Sequence, residues 1–105
     1  MDRQYLEGGF EEQMLNIYVG AKEIHYYATR FFQMLTDRGG LATARHLLAA
    51  PGISEGFEAL WERGRLDLTV EALVLREPWD ALFTPEELEV ARSRLQSAGY
   101  QQIRT

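Results

Sequence analysis

The chain contains no cysteine, which removes disulfides, thiolate metal ligands and thiol catalysis together. Of its 11 basic residues only Lys22 is a lysine, the rest being arginines. No apolar run approaches the roughly 18 residues needed to cross a bilayer. The first residues, Met1-Asp2-Arg3-Gln4-Tyr5, lack the basic stretch and apolar core of a signal peptide. The expectation is a cytoplasmic protein with no membrane partner. A net charge of −5 opposes nonspecific binding to nucleic acid, which runs on basic surface. The arginine excess suits forked ion pairs and interfaces, although a GC-rich genome favours the same codons.

What is present is ordinary for a globular chain. With 105 residues, 46% hydrophobic and 26% charged, it has enough length for one domain that buries roughly two-thirds of its unfolded surface. The densest apolar stretch is Gly64-Arg-Leu-Asp-Leu-Thr-Val-Glu-Ala-Leu-Val-Leu75, and the rest of the chain is expected to pack around it. Leu66 to Glu71 alternates like a strand, while Leu68, Ala72 and Leu75 fall at helical spacing. No other run reads as a strand to pair with it, so the stretch is assigned as a buried helix over about 67–76, with a strand paired across a dimer as the alternative. Asp67 is the expected N-cap and Pro78 the stop.

The remaining pattern is helical throughout. Residues 1–9 end in Gly8-Gly9 and are expected to be a flexible lead-in. Phe10, Met14, Ile17, Tyr18 and Ala21 mark one face of a first helix, with a break near Ile24 to Tyr26. A second runs from about Tyr26 to Arg38, ended by Gly39-Gly40, and a third from Leu41 to Ala49. Pro51-Gly52 turns the chain into a fourth, capped by Ser54. Trp79 to Phe83 makes one turn. Thr84-Pro85-Glu86-Glu87 carries a capping signature, with proline at the first helical position, and opens a last helix that ends before Gly99. The expected architecture is an all-α single domain over 10–99, of five or six short helices, with a tail at 100–105.

Read together, Ile17-Tyr18, Ala21-Lys22, Ala28-Thr29-Arg30-Phe31, Gly39-Gly40-Leu41 and Ala44-Arg45 with Leu47-Leu48 form a recognisable order. Gly56-Phe57, Leu60-Trp61-Glu62, the whole Gly64–Leu75 run, Leu82-Phe83-Thr84, Glu86-Glu87 and Ala91-Arg92 continue it. Over roughly residues 14–95 the chain resembles a family of small uncharacterised bacterial proteins. The resemblance implies a bacterial helical domain and carries no activity, ligand or site. The chain departs from it at Tyr26-Tyr27, where the family often has a helix-breaking glycine or asparagine.

Chemistry-bearing constellations are sparse. His25 and His46 have no partner at metal-ligand spacing, so no metal or cofactor is expected. Ser54, Ser93 and Ser97 lack a nucleophile-elbow setting, and Gly39-Gly40 follows no strand, so it is a helix stop and not a phosphate loop. Arg65, Asp67 and Glu71 form a candidate buried ion-pair group. Glu71 stands in an apolar run and needs a partner, from Arg65 or from an arginine on another helix. Gly40 to Arg63 has a helix-turn-helix outline, but Glu55, Glu58 and Glu62 would face phosphates. Tyr18, Tyr26, Tyr27, Phe31 and Phe32 crowd one segment beyond what a small core needs. Tyr26, Tyr27 and Phe32, with Arg30, are therefore the candidate interface. The leading expectation is a non-catalytic module that binds a protein partner or a second copy of itself. A nucleic-acid-associated regulator using arginine faces such as Arg30, Arg38 and Arg45 is the alternative. A small enzyme using Glu71 with an arginine or histidine is the third reading.

Overall fold

The computed structural model describes residues 2–100. Five α-helices follow one another: α1 Arg3–Glu23, α2 Thr29–Ala49, α3 Glu55–Glu62, α4 Val70–Val74 and α5 Pro85–Ser97. Single 3-10 turns at Leu66–Leu68 and Trp79–Leu82 flank α4. No strand occurs among the described residues, so the protein is an all-α domain, as its periodicity predicts. No helix there is long and apolar enough to cross a membrane. Of the expected tail at 100–105, Tyr100 packs against the cluster of Phe57, Ala72 and Leu95 instead of standing free, and 101–105 lie outside the described residues.

The first helix begins seven residues before Phe10, which corrects the flexible lead-in expected over residues 1–9. The Asp2 carboxylate accepts the Gln4 N–H and caps the helix, and Leu6 is buried. Gly9 does not break the helix because its missing side chain serves packing. A Cβ there would stand 2.8 Å from the Trp79 ring. Phe10 and Met14 then enter the core with no exposure, and Phe10 meets Phe83 edge-on at 5.4 Å.

The second and third predicted helices are one hydrogen-bonded helix with a bend. Gly39, at φ 83 and ψ 170, is the non-helical residue inside α2, a conformation open to glycine and strained for other residues. The helix resumes at Gly40, whose N–H is accepted by the Glu11 carboxylate of α1. The same glycine lets the two backbones approach, since a Cβ on it would lie 3.1 Å from the Glu11 Cα. The expected stop is thus a kink held by a cap from another helix. The helix starts at Thr29, three residues later than expected, because His25 adopts φ 67 and the chain runs non-helical through Ala28.

The central stretch is buried as expected but divided differently. Thr69, with φ −78 and ψ 157, caps α4 by accepting the Ala72 N–H at 3.1 Å. The predicted cap, Asp67, lies one turn earlier with its carboxylate taken by Arg65. All five residues of α4 are buried, Glu71 included. Ser54 and Thr84 cap α3 and α5, the latter with a complete capping box to Glu87. Core residues from every α-helix meet around α4. Val70 and Val74 belong to the larger cluster with Phe10, Met14 and Ala91, and Ala72 to a smaller one with Phe57 and Leu95.

Candidate functional site

The start of α4 forms the floor of the site, where the surrounding elements border a partly open cavity of about 590 Å³. Its walls come from the end of α1, the connection at Tyr26–Ala28, both ends of α2 and the start of α3, with Leu68–Glu71 beneath. The volume lies within the range of ligand pockets, roughly 300–1,000 Å³. Most of the lining is apolar, with Tyr26, Tyr27, Phe31 and Phe57 contributing four aromatic rings.

Four of the residues singled out in the sequence converge here: Tyr26, Tyr27, Arg30 and Glu71 all line the cavity. Tyr27 is 60% exposed. Tyr26 is half-buried, with the Arg63 guanidinium 5.1 Å from its ring centre. Burial, and then the neighbouring Glu55 charge, hold the Tyr26 phenol above its ordinary value, an effect that Arg63 partly offsets. Arg30 reaches across to Glu55 at 3.6 Å, and both side chains are largely exposed. Exposed pairs of this kind contribute little to stability.

Phe32 is not part of the cavity. It stacks on Tyr18 at 4.7 Å and 30°, on a different face of α2 from its cavity-lining neighbour Phe31.

The proposed ion-pair group separates into two. Arg65 donates from Nε and Nη2 to the two Asp67 oxygens, each at 3.0 Å, and this pair is partly exposed. The hydrogen bonds from Arg65, ahead of any charge effect, hold the Asp67 carboxyl below its ordinary value; the same bonds raise Arg65. Glu71 belongs to neither residue. Its partner is Arg94 on α5, with Nη1 2.9 Å from Glu71 Oε2 and the side chains only 11% and 3% exposed. Arg94 also donates to the carbonyls of Leu47 and Ala50, at 3.0 and 2.7 Å, and more weakly to that of Leu48. One guanidinium therefore neutralises Glu71 and ends α2, whose last carbonyls have no helical donor. Of the two partners the sequence offers Glu71, Arg65 is taken by Asp67, and an arginine of another helix, Arg94, fills the role. The signal for Arg94 was its place between Ala91 and Leu95, both buried on α5.

The other constellations do not assemble. His46 sits exposed at the cavity wall, and among the described residues no group of His, Cys, Asp or Glu could hold a metal ion. On α3, the second helix of the helix-turn-helix outline, Glu55, Glu58 and Glu62 are all exposed. Arg45, its side chain 42% exposed, bonds the Leu82 carbonyl at 3.0 Å and faces Glu87 at 3.3 Å. No protein-family model matches the chain, and neither a curated protein nor a solved structure matches it.

Proposed function

We propose that this protein is a non-catalytic recognition module whose cavity receives an apolar side chain presented by a partner protein. The observation that carries the reading is the convergence of an apolar cavity of about 590 Å³ with an aromatic residue, Tyr27, left 60% exposed at its wall. A protein partner covers such a ring while it inserts an anchor. Ile53, immediately before the cavity residue Ser54, is 41% exposed, and Trp61, edge-on to Phe57, is 44% exposed. They extend the apolar surround that a partner would cover.

Catalysis draws less support. Glu71 is the buried acid, and its charge is committed to Arg94 at 2.9 Å. Nucleic-acid binding draws less support still, because α3 carries three exposed acids and Arg45 is engaged by the Leu82 carbonyl and Glu87.

Gly56 provides a clean test. It lines the cavity, and a Cβ there meets only ordinary contacts, Ser54 Oγ at 3.9 Å and the Tyr26 hydroxyl at 4.0 Å. Gly56→Leu fills the mouth while raising helix propensity by about 1 kcal/mol, so the fold should survive. Peptides selected by display against the wild-type chain should lose at least tenfold in affinity for Gly56→Leu, with helicity and thermal midpoint retained. If no selected peptide distinguishes the two folded proteins, the cavity is not a recognition site.

A further inference from the structure

Three polar or charged residues are buried among the described residues: Thr43, Thr69 and Glu71. Thr43 lies away from the cavity lining. The Thr69 hydroxyl is satisfied on both sides, donating to the Leu66 carbonyl at 2.7 Å and accepting the Ala72 N–H at 3.1 Å. Glu71 differs from both. Its Oε2 accepts from Arg94, whereas Oε1 accepts no hydrogen bond from the described residues, and Glu71 is one of the residues that line the cavity.

That oxygen dictates the chemistry of an occupant. An ionised carboxylate only accepts, so the occupant must donate. Glu71 and Arg94 already cancel in charge. A buried cation would therefore add an uncompensated charge, and an anion would face Glu71 itself. The fitting group is a neutral donor. The same cavity is lined by the rings of Tyr26, Tyr27, Phe31 and Phe57, which favour an aromatic body through offset and edge-on contacts. A phenol brings lone pairs that need donors of their own, while an indole N–H donates only.

We propose that the cavity takes a tryptophan side chain of the partner protein, its indole N–H donated to Glu71 Oε1. This rests on the reading of the cavity as a recognition site and specifies the anchor. Burying the indole face against the four rings supplies affinity, and the hydrogen bond at the floor supplies selectivity.

The matched pair 3-methylindole and 1,3-dimethylindole tests it on the wild-type chain, by amide NMR titration with Gly56→Leu as the blocked control. The two probes share the aromatic body and differ in the N–H. The first should shift the amides of Tyr26–Arg30 and Ser54–Phe57, and bind about ten- to a hundredfold more tightly than the second, the range for a hydrogen bond to a charged group. Equal binding of both probes at these amides would overturn the donor assignment and leave the cavity reading standing. Tighter binding of p-cresol than of 3-methylindole would overturn the choice of tryptophan. Absence of any shift with all three probes would overturn the recognition reading together with this one.

Discussion

Arg94 Nη1 stands 2.9 Å from Glu71 Oε2, and the same guanidinium donates to the carbonyls of Leu47, Leu48 and Ala50 at the end of α2. Three helices, α2, α4 and α5, are tied at one buried point. Removing the acid alone strands a buried cation, so Glu71→Leu should cost about 3–5 kcal/mol in urea denaturation. Replacing a whole buried pair by apolar residues is often neutral. Here it should not be, because the double variant Glu71→Leu with Arg94→Met still leaves the α2 carbonyls without their donor. Each unsatisfied carbonyl costs about 1–3 kcal/mol. A double variant as stable as the wild type would show that Arg94 contributes nothing to the end of α2.

The glycines offer a ranked test of the kink. Gly8 lies in α1 with nothing near the position of a Cβ, so Gly8→Ala should stabilise by about 0.5–1 kcal/mol. Gly39→Ala forces a side chain onto φ 83 and should cost about 1–2 kcal/mol. Gly40→Ala pushes a methyl against the Glu11 Cα at 3.1 Å and should cost about 1–3 kcal/mol through separation of α1 from α2. Thermal midpoints of the three variants check the order; a stabilising Gly40→Ala would refute the close approach.

Much of this was legible in the sequence where the cause is local. The capping box at Thr84–Glu87 and the Ser54 cap follow from side chains acting within one turn, and the burial of Val70–Val74 follows the apolar density of that stretch. What was illegible depends on distant partners. Gly39-Gly40 reads as a helix stop until Glu11, 29 residues earlier, caps its N–H. Gly8-Gly9 reads as a loose end until Trp79 is seen to occupy the space that Gly9 vacates. Tyr26, Tyr27 and Arg30 were marked for surplus aromatic and forked-arginine character, and they do share the cavity with Glu71. Phe32 was marked by the same reasoning, yet helical phase turns it to Tyr18. Arg94 carried too weak a signal, since one arginine within an apolar stripe fits a solvated helix edge equally well.

The Asp67 carboxyl makes a pH prediction whose sign is fixed. Hydrogen bonds from Arg65 depress its folded pKa below the ordinary 3.8. The stabilisation is therefore complete above 3.8 and is lost as pH falls through the lower folded value. The thermal midpoint of wild type should exceed that of Asp67→Asn by a constant margin at neutral pH, and the margin should shrink only below the ordinary carboxylate range. Because both side chains are about two-fifths exposed, 1 M salt should reduce the margin. A margin that grows on acidification would contradict the assignment.

Tyr27 and Phe32 should part company when each is cut to alanine. Tyr27 is 60% exposed and pairs with no other ring among the described residues. Its removal should change stability by less than about 0.5 kcal/mol while weakening cavity-directed peptides, since it loses only the ring that a partner covers. Phe32 is stacked on Tyr18 at 4.7 Å, so its removal should cost about 0.5–1.5 kcal/mol beyond lost burial and leave peptide affinity unchanged. Denaturation and peptide titration on the two variants give a crossed pattern if recognition runs through the cavity mouth. The opposite crossing, with Phe32→Ala weakening binding and Tyr27→Ala silent, would move the recognition surface to the Tyr18 side of α1.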